Sequence, residues 1–226
     1  AWADALVDVI VQALVDVTGV KSVIKNASGR SRALEGLDDA TALAFGEMPN
    51  AAIPVEMNGA TYMADVAGGQ KTGLFFDQRP NHAFAASLSR DADVLDVFPH
   101  VGGFSLAALK AGAKSALAVD GSAPALALAE QGAEASGVAD RFATLKGDAF
   151  DVLTQLGEEG RKFDVVICDP PAFASSKPAL EAGLRAYERV ARLAADLVTE
   201  GGILGLCSCS HAAGLDKFRT ASVRGI

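Results

Sequence analysis

From residue 82 to residue 208 the chain alternates between helical periodicity and short apolar runs, and this constrains the fold more than any other feature. The pattern predicts helix 82–89 then strand 93–98, helix 103–111 then strand 115–120, and helix 123–136 then strand 141–146. It continues with helix 149–157 then strand 163–168, and helix 179–199 then strand 202–208. Strands of this length separated by helices are joined by right-handed crossovers, which predicts an α/β fold with a doubly wound, mostly parallel sheet. In such sheets ligands bind outside the carboxyl ends of the strands, where the strand order reverses. The residues able to do chemistry should therefore be sought at those ends.

The first 52 residues read differently, as a small α+β subdomain. Leu6, Val9, Ile10, Ala13, Leu14 and Val17 recur at helical spacing and predict an amphipathic helix over 2–17, stopped by Gly19. A strand over Val20–Ile24, a short helical or irregular piece over Ser28–Glu35 and a strand over Ala40–Phe45 follow. In the connecting segment 53–80, alternating runs flank Asn58-Gly59 and predict a β-hairpin over 53–66. Residues 81–226 then form the main domain, which is expected to be cut short at its C-terminus, since doubly wound domains usually carry further strands.

The bulk numbers exclude several classes. Half the residues are apolar and 21% are charged, which supplies a core rather than disorder. A net charge of −8 argues against a broad nucleic-acid surface, so an RNA substrate would need a local patch. Cys168, Cys207 and Cys209 make neither a disulfide framework nor a zinc knuckle, and no metal is expected. No apolar run reaches about 18 residues. Asp4, Asp8 and Asp16 stand where a signal peptide would be basic, so a cytoplasmic protein without membrane attachment is expected.

Four stretches carry possible chemistry. Residues 94–105 run from a strand through Gly102-Gly103 into a helix, which is either a tight turn or a place where backbone approaches a ligand. Asp120 ends the next strand, where a carboxylate can accept from both hydroxyls of a ribose. His100-Val101-Gly102-Gly103-Phe104-Ser105 lacks the glycine spacing that wraps a pyrophosphate, which favours S-adenosylmethionine over a dinucleotide. Asp148 suits either an adenine amino group, with Ala149 offering a backbone N–H, or a helix cap. Asp169-Pro170-Pro171-Ala172-Phe173 ends the fourth strand with two prolines, whose fixed backbone turns carbonyls outward beside a carboxylate and a ring. A flipped-out base could stack on Phe173 and bond to Asp169. Cys168 and Cys207 read as small buried hydrophobes. Cys209, near the end of the fifth strand, reads as a nucleophile for a pyrimidine, whose C5 becomes electron-rich when a thiolate adds at C6.

Gln70-Lys71-Thr72-Gly73 through Asp77-Gln78-Arg79, the loop at 96–104, Asp120-Gly121-Ser122, Asp169-Pro170-Pro171-Ala172-Phe173 and Ser208-Cys209-Ser210 together resemble the bacterial large-subunit (23S) ribosomal RNA cytosine-5 methyltransferases. The resemblance implies a class I, Rossmann-like methyltransferase fold that uses S-adenosylmethionine. It implies a cofactor site of Gln78, Arg79, Asp96, Phe98, Gly102, Gly103, Phe104, Asp120, Gly121, Ser122, Asp148, Ala149 and Asp169. Catalysis would fall to Cys209 and Asp169, with Pro170, Pro171 and Phe173 holding the substrate. Ribosomal RNA is the implied partner, a homodimer is a permitted assembly, and the N-terminal PUA RNA-binding domain usual in the family is expected to be lacking. The chain departs from the family in having His100-Val101 where members often have Tyr-Thr, which removes a hydroxyl contact to the cofactor. The segment 169–177 also resembles guanine-N7 ribosomal RNA methyltransferases, which lack a cysteine at the position of Cys209. Methylation of guanine N7 or an exocyclic nitrogen is thus the first alternative, and a non-catalytic RNA- or protein-binding module the second. A nicotinamide oxidoreductase is disfavoured by the glycine spacing.

Overall fold

The computed structural model describes residues 2–27, 30–38, 41–66 and 74–226. They fall into two compact units, residues 1–53 with 64–74 and residues 54–63 with 75–226. The motif residues 70–73 lie outside the described residues.

In the first unit the helix expected over 2–17 is two helices, α1 (Trp2–Ala5) and α2 (Val7–Thr18), because Leu6 leaves helical geometry at φ −111° and ψ 14°. The single turn of α1 is held by Asp4, which accepts from the Arg32 guanidinium at 2.9 Å and the Lys25 ammonium at 2.8 Å. Those two cations hold the Asp4 carboxyl far below the usual carboxylate range, Arg32 contributing most. The unit continues with β1 (Ser22–Lys25), α3 (Arg30–Leu34) and β2 (Ala42–Gly46). β1 and β2 pair antiparallel, from Ser22 opposite Gly46 to Lys25 opposite Ala42. The apolar face expected of the helix is not covered by described residues, Val9 and Val17 being 67% and 84% exposed.

A hairpin of β3 (Ile53–Met57) and β4 (Ala60–Ala64) turns at Asn58-Gly59, with φ of 52° and 77°. Positive φ at both turn residues is the type I′ geometry that Asn-Gly adopts readily. Within the second unit the hairpin is fastened to the sheet by polar contacts. Thr61 N–H donates to Ser136 Oγ at 2.8 Å, and the fully buried Tyr62 donates its hydroxyl to the Gly103 carbonyl at 3.1 Å. Burial, with the nearby Asp96 charge, raises the Tyr62 hydroxyl above its usual range and keeps it a donor.

The rest of the second unit runs α4 (Arg79–Ser87), β5 (Asp93–Val97), α5 (Gly103–Lys110), β6 (Ser115–Asp120) and α6 (Ala123–Ala135), then β7 (Phe142–Lys146) and α7 (Ala149–Glu158). It ends with β8 (Phe163–Cys168), α8 (Leu180–Ala195), β9 (Val198–Leu206) and α9 (Leu215–Gly225). The five strands form one parallel sheet in the order β7-β6-β5-β8-β9, which is the doubly wound architecture the sequence predicts. The chain reverses between β5 and β8, so the crevice lies at their carboxyl ends. β5 is central and covered on both faces, with Val94 through Val97 at most 1% exposed. Leu95, Val97, Val119, Val152, Leu153, Leu156 and Val166 form the main core beside it. Among the described residues no helix is long and apolar enough to cross a membrane.

Several boundaries differ from expectation. α4 begins at Arg79 rather than 82 because Pro80 occupies its first turn, where a missing N–H costs nothing. The helix expected to reach 199 ends at Ala195, and the strand expected from 202 begins at Val198 and stops at Leu206. Gly201-Gly202 looks like a helix-to-strand boundary but lies inside β9. There Phe163 pairs with Val198 and Val165 with Ile203, so 199–202 bulges out, with Gly201 at φ 77°. α9 is not anticipated, because its polar sequence buries only Ala221 and Ser222.

α8 approaches the segment after β8 so closely that a Cβ on Gly183 would sit 2.7 Å from the Ala174 nitrogen. Gly183→Ala must displace that loop, and we expect a loss of about 1–3 kcal/mol. Urea denaturation measures it, and an unchanged midpoint would contradict this packing.

Candidate active site

Asp96 sits in β5 and is fully buried. Its Oδ2 accepts from the Ser105 amide at 2.8 Å and the Ser105 hydroxyl at 2.7 Å, which ties the strand to the first turn of α5. Its Oδ1 has no hydrogen-bond partner among the described residues. Burial pushes the Asp96 carboxyl up to about 6. The Ser105 bonds pull against this, and the negative charges of Asp169 and Asp120 add to it. A buried carboxylate with one oxygen unanswered and two further carboxylates nearby is a place suited to a cation.

The loop leaving β5 is wound unusually. Phe98 and His100 adopt φ of 67° and 54°, and Gly102 follows at 85°. Positive φ is disfavoured for side chains with a Cβ and clusters where a site must be held in a set shape. Asp120, at the end of β6, helps hold it, accepting from the His100 amide at 3.3 Å and the Ser122 amide at 2.8 Å. Ser122 in turn caps α6.

The two glycines do different work. Gly102 supplies the left-handed turn that opens α5. Gly103 makes room for an imidazole, since a Cβ there would lie 2.7 Å from His82. His82 is buried, its Nδ1 has no partner among the described residues, and it packs edge-on to Phe104 at 4.5 Å. Burial lowers its pKa to about 4, opposed by the Asp77 charge, so the ring is neutral at physiological pH.

Asp148 is a helix cap, its Oδ1 accepting from Phe150 and Asp151 amides at 2.9 and 3.3 Å ahead of Ala149, while its side chain stays exposed. Gly121 and Ser122 are exposed beside it across the strand ends. Gln78 closes a 3-10 turn before α4 and accepts from Asn81 at 2.7 Å, and the Arg79 carbonyl accepts from Asn58 at 3.0 Å.

After β8, Asp169 is half-buried, Pro170 buried and Pro171 exposed. Phe173 is half-buried among rings, with Phe98 at 6.2 Å, Phe150 at 5.9 Å and Tyr187 at 5.0 Å. Much of its ring therefore serves packing.

The cysteines separate. Cys168 is fully buried, and burial with the Asp96, Cys207 and Asp169 charges raises its thiol well above the usual range. Cys207 is half-buried, and burial with the Asp169 and Asp96 charges pushes it up to about 12. Cys209 is exposed beyond the end of β9, its Sγ 3.9 Å from the Pro170 carbonyl oxygen. Asp96, Asp120, Asp169 and Cys209 thus all lie at or just past carboxyl ends of strands. Tyr62, His82, Ser105 and Tyr187 were not anticipated as site residues, and Ser208 and Ser210 were named only as the motif neighbours of Cys209. Of the first four, Ser105 alone had a sequence signal, standing directly after Gly-Gly-Phe. Among the described residues no group of three or more His, Cys, Asp or Glu could hold a metal ion.

Comparison with known proteins bears on the family and the fold of the chain. Residues 25–225 match the family described as S-adenosylmethionine-dependent methyltransferase. The chain is 38% identical over 213 residues to ribosomal RNA large subunit methyltransferase I of Vibrio vulnificus (strain CMCP6), covering 93% of this chain and 54% of that protein. It is 36% identical over 211 residues to the protein of the same name from Aeromonas salmonicida (strain A449), covering 93% and 53%. The chain therefore spans about half the length of these curated relatives. The crystal structure of SMU.776 complexed with SAH superposes with a TM-score of 0.81 at 21% identity, covering all of this chain and 57% of that one.

The Asp96 carboxyl gives a signed pH prediction. Its folded pKa lies above the ordinary value, so the folded state binds more protons between about pH 4 and 6. Its contribution to stability is therefore lost as pH rises through that window, on the order of 3 kcal/mol in total. Asp96→Asn removes the titration, so the difference in unfolding free energy between variant and wild type should move toward the variant from pH 4 to pH 7. Urea melts across that range measure it, with the His82 contribution cancelling, and a pH-independent difference would contradict the assignment.

Proposed function

The chain belongs to the S-adenosylmethionine-dependent methyltransferase family, and from that premise we propose that it methylates C5 of a cytosine in large-subunit ribosomal RNA through a transient bond to Cys209. The observation that carries the reading is the isolation of one accessible thiol. Cys209 is exposed next to the Asp169-Pro170-Pro171 turn, while burial keeps Cys168 and Cys207 protonated. The name of the relatives from Vibrio and Aeromonas supports ribosomal RNA as the substrate.

The residues present fit the cofactor. The unanswered Asp96 Oδ1 and the neighbouring Asp120 and Asp169 charges suit a ligand with an ammonium and a sulfonium. In this reading Asp96, Phe98, the 102–104 turn, Gln78 and Arg79 hold its methionine end. Asp120, Gly121 and Ser122 hold its ribose, and Asp148 and Ala149 its adenine. When bound, S-adenosylmethionine supplies an electrophilic methyl group. Residues 81–226, with Gln78 and Arg79 of the connecting segment, carry this chemistry, and 1–52 form a separate packing unit.

On the protein side, Asp169 and the Pro170-Pro171 turn orient the cytosine edge, with Phe173 beside it. The Cys209 thiolate adds to C6, which forms the C–S bond and makes C5 electron-rich. Once C5 carries the new methyl, its proton is lost to base, the C6–S electron pair returns to sulfur, and the thiolate is regenerated. Depriving C5 of this activation removes the reaction. Cys209→Ala should therefore lower methyl transfer to ribosomal RNA by at least about a thousandfold, on the scale of losing a covalent nucleophile. Mass spectrometry of the digested RNA should find 5-methylcytidine with wild type. Wild-type turnover by Cys209→Ala would end the nucleophile reading, and 7-methylguanosine or an N-methylated nucleoside would move the substrate to a purine or exocyclic nitrogen.

A further inference from the structure

We propose that Tyr187 is a positioning residue that fixes Cys209 through its two flanking serines; the proposal rests on the reading of Cys209 as nucleophile. Tyr187 lies on α8, is 1% exposed, and has its ring between Phe173 and Phe218, each at a centroid distance of 5.0 Å. Its hydroxyl is the centre of a small polar network in this apolar setting. Ser208 donates its hydroxyl to the Tyr187 oxygen at 2.9 Å, and the Tyr187 and Ser210 oxygens are 2.7 Å apart. Tyr187 accepts from Ser208, and either hydroxyl of the Tyr187–Ser210 pair can donate to the other.

Ser210 is 6% exposed and carries the network onward. Its Oγ accepts from the Ala174 amide at 3.0 Å, and its own amide donates to Ser208 Oγ at 3.3 Å. Ala174 belongs to the segment that follows Asp169-Pro170-Pro171, and α8 presses against it at Gly183. One phenol thus ties together the residue before Cys209, the residue after it, and the turn that Cys209 faces at 3.9 Å. Cys209 itself lies outside β9, so no ladder hydrogen bond of that strand holds its backbone. The serine hydroxyls and Tyr187 take over that task. A hydroxyl buried this deeply is not needed for packing, because phenylalanine would fill the same space between Phe173 and Phe218.

The test is Tyr187→Phe, assayed on ribosomal RNA fragments alongside Cys209→Ala. Misplacing a reacting group by about an ångström can cost on the order of a hundredfold, so we expect kcat to fall about ten- to a hundredfold, with KM for S-adenosylmethionine within about twofold. Amide exchange at Ala174 and Ser210 should become faster in the same variant. Ser210→Ala should behave likewise and carries the prediction if Tyr187→Phe does not fold, whereas Ser210→Thr, which keeps the hydroxyl, should restore most of the rate. A Tyr187→Phe enzyme with wild-type kcat overturns the proposal while leaving an inactive Cys209→Ala, and hence the nucleophile reading, intact. Wild-type turnover by Cys209→Ala overturns both.

Discussion

A carboxylate buried in the central strand sets the terms for the rest of the second unit. Asp96 is fully buried in β5, and its charge is answered on one side only, by the amide and hydroxyl of Ser105. That bond fixes where α5 starts relative to β5, and the intervening residues must then turn sharply. Phe98, His100 and Gly102 absorb the turn in left-handed geometry, and Asp120 pins it from the neighbouring strand. Tyr62 of the hairpin and His82 of α4 close the other side, the first by its bond to Gly103 and the second by direct packing on it. The ionised Asp96 costs stability at neutral pH, and that cost is the kind a positively charged ligand offsets.

The second half of the site is built by different means. Where the Asp96 side is held by carboxylates and backbone amides, the Cys209 side is held by hydroxyls and rings. Phe98, Phe150, Phe173 and Tyr187 make a continuous aromatic wall, with Phe218 of α9 behind Tyr187. The wall links the loop after β5 to the loop after β8, so the two halves share Phe98 and Phe173. α9 matters here as the support behind Tyr187.

Much of this was legible in the sequence, and the limits have physical causes. The βα alternation gave the parallel sheet, and Asn58-Gly59 the hairpin turn, because both depend on local pattern. Asp96, Asp120, Asp169 and Cys209 could be picked out because strand ends are where such sheets present side chains. What stayed hidden depends on contacts between residues far apart in the chain. That Gly103 also makes room for His82 is not visible in the local sequence, nor is it settled there that Asp148 caps α7 through Oδ1 while its side chain stays exposed. The bulge at 199–202 misled because two glycines read the same way in a bulge and in a turn. Tyr187 gave no signal at all, since one tyrosine on an amphipathic helix face looks like ordinary core until its hydroxyl partners are known. The apolar spacing of 2–17 predicted a buried face that the described residues do not cover.

The central claim is that Cys209, and no other thiol of the chain, bonds to a pyrimidine during turnover. It is tested most directly by trapping the protein on ribosomal RNA that carries 5-fluorocytosine, where C5 has no proton to lose and the C–S bond cannot break. With S-adenosylmethionine present, the predicted result is a denaturation-stable protein–RNA adduct whose peptide map places the modification on Cys209. Methylated RNA formed with no trapped adduct, or an adduct mapped to Cys207, would contradict the account.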